Sequence, residues 1–174
     1  MTVTIEDPCG AVGPGARTAT PGLASLAGTR IGVLDNGKPN AALLLSTMAA
    51  GLAARTGATV TLEIAKRTAA EPCAPDLIAR LTASADLVLT GSADCGSCTT
   101  WSIHDVDTLE AAGVRAIGVT TTAFEPISRE VARTLGMGSA RIAVVPHPLG
   151  GIDDDAVRAL AAGAVEQLVQ LATG

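Results

Sequence analysis

From Arg30 onward, short runs of Val, Ile and Leu alternate with longer runs in which Ala and Leu recur at helical spacing. This alternation predicts five strands, at Arg30 to Leu34, Ala58 to Ile64, Asp86 to Thr90, Val114 to Thr120 and Arg141 to Val145. The runs between and after them predict helices at Asn40 to Arg55, Pro75 to Ser84, Ser97 to Ala112, Glu125 to Leu135 and Asp153 to Leu171. Gly57, Gly113 and Gly136 stand where the first, third and fourth helices should stop, and Asp153, Asp154 and Asp155 suit the positive end of the last helix dipole. Residues 1–29 are too rich in Pro and Gly for any regular element and read as an extended N-terminal arm. Residues 30–174 then form a single α/β domain.

Successive βα units with right-handed crossovers give a three-layer sandwich around a parallel sheet. The simplest order for five strands is the flavodoxin-like (Rossmann-like) 2-1-3-4-5. Of the 174 residues 48% are apolar but only 1% aromatic, so the core must be built from Ala, Val, Leu and Ile. A net charge of −5, with 12 basic residues scattered along the chain, offers no footprint for a phosphate backbone, and base-stacking rings are missing. No nucleic-acid partner is therefore expected. The N-terminus lacks the basic and apolar regions of a signal peptide, and no stretch approaches the roughly 18 apolar residues of a membrane span. The expectation is a soluble, cytoplasmic protein with no membrane contact, whose four Cys serve as reactive thiols or metal ligands rather than as disulfides.

Ligands of open parallel sheets bind beyond the carboxyl ends of the strands. Four loops there have unusual content, namely Asp35 to Asn40, Gly91 to Cys98, Thr120 to Pro126 and Pro146 to Gly151. The loop from Ala65 to Pro75, although it holds Cys73, reads as an ordinary connection.

Cys95 and Cys98, with two residues between them, stand between a strand end and a helix start. Free amides and the helix dipole there stabilise a thiolate on Cys95, and Cys98, one turn on, can attack a mixed disulfide formed on it. Ser97 offers a hydroxyl that can cap the helix or donate to the thiolate. Two small apolar residues packing under a helix is the plainer alternative. A metal at Cys95 and Cys98 is another, but the chain has no second Cys-x2-Cys or His pair, and Cys9 and Cys73 would have to come from the arm and a linker. No metal or other cofactor is expected.

The segment Thr90-Gly-Ser-Ala-Asp-Cys-Gly-Ser-Cys-Thr-Thr-Trp-Ser-Ile-His-Asp resembles the UGSC family, named for a selenocysteine-Gly-Ser-Cys motif whose first position is Cys in many members. Leu34-Asp-Asn-Gly-Lys-Pro-Asn-Ala upstream and Val145-Pro-His-Pro-Leu-Gly-Gly downstream extend the likeness from about Ile5 to Gly151. The resemblance implies that Cys95 occupies the selenocysteine position and is the primary nucleophile. A looser similarity to the Cys- or selenocysteine-bearing subunits of glycine reductase type enzymes is analogy only.

Around this pair, His147 lies between two prolines and suits a general acid or base, or a structural hydrogen bond to a loop. Thr120, Thr121 and Thr122 precede a helix start and offer hydroxyls to an anionic group, or serve as caps. Asp35, Asn36, Lys38 and Asn40 cluster in the first loop, where Lys38 can neutralise an anionic substrate or the thiolate, while Gly150 and Gly151 allow close approach of a ligand to backbone. Trp101 and His104 are three apart on one helix face, and His104 with Asp105 is either a proton-transfer pair or a surface pair. Glu125 and Arg129 read as an exposed helix ion pair.

These residues point to a cysteine-dependent oxidoreductase acting on a small molecule that can be anionic, with Cys95 as nucleophile and Cys98 as resolving thiol. A lyase, transferase or hydrolase with a Cys95 nucleophile is the alternative within catalysis. A non-catalytic or metal-binding subunit, docking through the Trp101 helix, is the alternative outside it. Either case allows a homo-oligomer or a partner subunit.

Overall fold

A computed structural model describes residue 15 and residues 17–174. The order is β1(Arg30–Asp35), α1(Ala41–Thr56), β2(Thr59–Ala65), α2(Pro75–Ser84), β3(Leu87–Ala93), α3(Gly96–Ala111), β4(Arg115–Thr121), α4(Glu125–Thr134), β5(Arg141–Val145) and α5(Asp154–Thr173). All five strands are parallel, in the order β2-β1-β3-β4-β5. This is the flavodoxin-like arrangement that the hydrophobic pattern predicts. Gly57, Gly113 and Gly136 take the left-handed conformation, with φ of 77°, 84° and 77°, which is why those helices stop there.

Strand residues alternate between two aliphatic cores. Ile31, Val33, Leu89, Ile117 and Val119 face α1 and α5, where they meet Leu44, Leu45, Met48, Val157 and Leu168. Leu34, Val88, Ala116 and Ile142 face the other side, against Leu81 of α2, Ile103, Val106 and Leu109 of α3 and Ala132 of α4. Neither core contains a ring. Small residues compensate by close approach: a Cβ on Gly51 of α1 would lie 2.8 Å from Val165 Cγ2 of α5. Each fully buried Leu, Ile or Val contributes about 1.5–3 kcal/mol, so aliphatic density replaces aromatic area.

The expected arm lies partly outside the described residues, as do residues 1–14 and 16, Cys9 among them. Residues 17–29 form no helix or strand, and they cross the end of the sheet where the strands begin. Arg17 N donates to Gly136 O (2.7 Å), Leu23 N to Ala172 O (2.8 Å) and Thr20 N to Glu110 Oε2 (2.7 Å). Glu110 is itself in a buried ion pair with Arg141 (3.0 Å), whose Nη2 donates to Thr20 O (2.6 Å).

Two boundaries differ from expectation in ways that shape the site. β3 runs on to Ala93, with a register slip between Gly91 and Ala93 against β4, so Gly91, Ser92 and Ala93 belong to the sheet rather than to a loop. α3 starts at Gly96, one residue early, which leaves Cys95 itself at its cap. No helix of the described residues is long and apolar enough to cross a membrane.

Candidate functional site

Strand order reverses between β1 and β3, which are hydrogen-bonded neighbours whose following helices, α1 and α3, leave to opposite faces. The loops after them therefore splay apart, and the crevice between them is where such sheets hold ligands. Cys95 stands at its edge, partly exposed, with extended backbone (φ −153°, ψ 170°). Its Sγ accepts from Cys98 N at 3.4 Å, and Cys98 Sγ accepts in return from Cys95 N at 3.0 Å and from Asp94 N at 3.4 Å. The cap role considered for Ser97 thus falls to Cys95. Ser97 is exposed, with its Oγ 3.9 Å from Cys95 Sγ.

The two thiols are driven apart. Burial opposes ionisation of Cys95, but the Cys98 thiol and amide, the Ser97 hydroxyl and the Lys38 charge outweigh it and hold the thiol below its ordinary value. Cys98 is fully buried, and burial, together with its bond to Cys95, pushes it up to about 12. One sulfur is thus partly exposed and prone to ionise, while the other is hidden and protonated.

Asp94 completes this group. Its Oδ1 accepts from Cys98 Sγ at 3.5 Å and pairs with Lys38 Nζ at 3.4 Å, with the carboxylate side chain 7% exposed. Burial works against the Lys38 ammonium, but Asp94 and the sulfurs of Cys95 and Cys98 raise its pKa on balance, so the charge stays at the crevice. Ligand atoms of Asp94, Cys95 and Cys98 all lie within 4.8 Å of one another. Asp94 is the site residue that reading the sequence passed over. Its position next to Cys95 was the available signal.

The first loop is mostly scaffold. Asn36 is fully buried, donating to Ser92 O (2.8 Å) and Ser102 Oγ (3.2 Å) and accepting from Lys38 N (3.2 Å), so it ties β1 and β3 to α3. Asp35 accepts from Gly37 N at 2.9 Å, and partial burial raises its carboxyl pKa. Asn40 has φ 66° and donates to Leu149 O (2.9 Å) and Ile152 O (3.0 Å), clamping the first loop to the last. Lys38 alone of the four presents a charge to Cys95.

The threonines are likewise engaged. Thr120 Oγ1 donates to Ala93 O at 2.9 Å and accepts from Ser128 Oγ at 2.9 Å. Thr121 Oγ1 meets His147 Nδ1 at 3.1 Å, and Thr122 Oγ1 accepts from His147 N at 3.2 Å. Thr121 and Thr122 thus fix the His147 loop to β4, while Thr120 ties β4 to β3 and α4, so the three hydroxyls all have partners within the fold. His147 is exposed, its ring centroid 5.8 Å from that of Phe124. Gly150 and Gly151 are exposed, with open space around both α-carbons.

Two expectations are corrected, one in the middle of α3 and one in the loop after β2. Trp101 and His104 do pair, at 5.2 Å between ring centroids. Asp105, however, is neither a surface residue nor a partner for His104: it is 1% exposed and bound to Lys66 Nζ at 2.5 Å. The loop after β2 is correspondingly no ordinary connection. It buries Lys66 and docks Cys73, whose amide donates to Asp105 Oδ1 at 2.7 Å and whose thiol burial pushes up to about 11. Glu125 and Arg129 form the expected exposed ion pair, at 2.8 Å.

The model of the UGSC family matches residues 4–174. The chain belongs to the UGSC family. The resemblance carried by the Cys-Gly-Ser-Cys segment thus extends over nearly the whole UGSC chain, α5 included. No curated protein matches it. Among solved structures it is similar to a de novo designed protein solved by NMR, with 9% identity, TM-score 0.43, and coverage of 82% of this chain and 95% of that one. It is also similar to the lactose-specific IIB component domain of the phosphoenolpyruvate:carbohydrate phosphotransferase system from Streptococcus pneumoniae, with 12% identity, TM-score 0.32, and coverage of 82% and 95%.

Proposed function

We propose that this UGSC protein is a cysteine-dependent oxidoreductase in which Cys95 attacks a small disulfide-type substrate and Cys98 resolves the adduct. The observation that carries this reading is the asymmetry of the two sulfurs: Cys95 partly exposed with a lowered pKa, Cys98 buried with a raised one. A nucleophile must be ionised and reachable, whereas a resolving thiol must stay unreacted until the adduct forms.

In this scheme the Cys95 thiolate attacks one sulfur of R–S–S–R′. A Cys95–S–S–R bond forms, the substrate S–S bond breaks, and R′S⁻ leaves and takes up a proton. Cys98 then passes its proton to Asp94, 3.5 Å away, and attacks Cys95 Sγ. The second substrate thiol departs and a Cys95–Cys98 disulfide remains. Two electrons have passed to the substrate, and an external dithiol closes the cycle. Lys38 and the start of α3 favour an anionic substrate, and His147, exposed and held by Thr121 and Thr122, is the general acid that the last loop offers.

The test is to incubate Cys98→Ser with a small disulfide and read the intact mass. The reading requires a trapped adduct on Cys95, absent from Cys95→Ser, and a disulfide in the parent that reforms after reduction. Failure of both variants to change turnover overturns it. A second reading, with Cys95 as the covalent nucleophile of a lyase, transferase or hydrolase, is favoured by one observation. A thiol pushed up to about 12 resolves slowly. Turnover by Cys98→Ser without any reductant would select it.

A further inference from the structure

The three groups at the head of α3 have a second use that disulfide exchange does not require. Cys98 Sγ and Asp94 Oδ1 are 3.5 Å apart, and the Cys95 sulfur lies within 4.8 Å of both. A tetrahedral zinc with bonds of about 2.3 Å to sulfur and about 2.0 Å to oxygen sets those two ligands about 3.5 Å apart. Backbone amides already point at both sulfurs, from Cys98 to Cys95 Sγ and from Asp94 and Cys95 to Cys98 Sγ, and such bonds stabilise thiolates. Lys38 Nζ pairs with the Asp94 carboxylate, at 3.4 Å from Oδ1, as outer hydrogen-bond partners orient metal-bound carboxylates. Charge also fits. Two thiolates and one carboxylate against the Lys38 ammonium leave two negative charges, which one divalent cation neutralises. Two sulfurs select a zinc-class ion over magnesium or calcium.

We propose that the reduced site binds one zinc-class divalent cation through Cys95 Sγ, Cys98 Sγ and an Asp94 carboxylate oxygen, with solvent in the fourth position, and that this loading switches off its thiol chemistry. Binding displaces whatever protons the two thiols still carry and forms two metal–sulfur bonds, so neither sulfur is left to attack. The switching clause rests on the redox reading above, whereas the metal site does not.

The test titrates the reduced full-length chain with zinc chloride against a chromophoric chelator, and follows alkylation of Cys95 by mass in parallel. One zinc per chain is expected, lost in Cys95→Ser and Cys98→Ser and weakened at least about tenfold in Asp94→Asn. At a zinc concentration that protects Cys95 in the parent, Asp94→Asn should remain alkylated. Cobalt in place of zinc should give thiolate charge-transfer bands and the intense d–d bands of a four-coordinate ion. Far-UV circular dichroism of each variant checks that it is folded, and the cobalt spectrum of the parent stands without any variant. Loss of zinc to the chelator from the parent, one zinc shared by two chains, unaltered affinity in Asp94→Asn, or alkylation indifferent to bound zinc each overturns the proposal. If zinc is not held while a Cys95–Cys98 disulfide still cycles, the metal site falls and the redox reading survives. If zinc is held one to one but no disulfide forms on oxidation, the metal site stands and the redox reading falls.

Discussion

Cys95 and Cys98 cap one another: the amide of each donates to the sulfur of the other, at 3.0 Å from Cys95 N and 3.4 Å from Cys98 N. The arrangement gives one proton position two owners. The Cys98 thiol lowers the pKa of Cys95, while Cys95 raises that of Cys98. A group that loses its proton more easily reacts at lower pH. The iodoacetamide rate of the parent should therefore rise through a single step centred below the pH of an ordinary thiol, with every adduct on Cys95. Cys98→Ala removes the donor and should move that step upward. The rate measured against pH, with the adduct located by mass, decides it; a downward move contradicts the assigned coupling.

The same pair makes Cys95 structural as well as reactive. Its sulfur satisfies an orphan amide at the start of α3, so Cys95→Ala should cost about 1 kcal/mol of stability, as loss of an N-cap does. Cys95→Ser keeps an acceptor at the same place and should regain most of that while still abolishing alkylation. Urea unfolding of the three proteins separates the cap from the nucleophile. Equal midpoints for Ala and Ser would show that the sulfur caps nothing.

Asn40 joins the first and last loops of the site through two side-chain bonds, from a backbone at φ 66°. Asn40→Gly keeps that backbone and loses both bonds, for an expected loss of about 1–3 kcal/mol. Asn40→Ala loses the bonds and adds left-handed strain of roughly 1 kcal/mol. The order parent, Gly, Ala in unfolding midpoint is the check, together with faster amide exchange in residues 149–152 of both variants.

The fold was legible because its signals are local. Runs such as Arg30 to Leu34 and stops such as Gly57 state their conformations without reference to anything distant, and the 2-1-3-4-5 order follows from handedness once five βα units are counted. Cys95 and Cys98 were legible for the same reason, being three residues apart. What stayed hidden depends on which strand end meets which. Thr121 reads as a free hydroxyl until β4 and β5 are aligned and His147 arrives 26 residues later to take it. Asp94 reads as a loop carboxylate until Lys38 closes on it across the β1–β3 crevice. Lys66 and Asp105 are 39 residues apart, on elements whose packing no periodicity encodes.

That last pair makes the largest prediction. Lys66 and Asp105 are 2% and 1% exposed, and Asp105 also receives the Cys73 amide. Burial raises the pKa of Asp105, although Lys66 opposes this. A charge left alone in such a place costs far more than the pair contributes, so Lys66→Met should destabilise the chain by about 3–5 kcal/mol. Lys66→Met with Asp105→Leu removes both charges and should recover most of the loss, leaving only the unpaired Cys73 amide to account for. The sign of the pH effect in Lys66→Met follows from the buried carboxyl. With the cation gone, its folded pKa rises further above the unfolded value, so the folded state favours the protonated form. The single variant should therefore lose stability as pH rises from the range where an unfolded aspartate ionises up through the raised folded pKa, and regain it on acidification. The double variant should lack that pH dependence. Because Asp105 lies two turns along α3 from Cys98, a loosened pair should also let the helix shift and slow Cys95 alkylation at constant pH. Denaturant unfolding of the four proteins of the cycle at several pH values measures the coupling directly. A coupling near zero would mean that the loop after β2 holds α3 by other means.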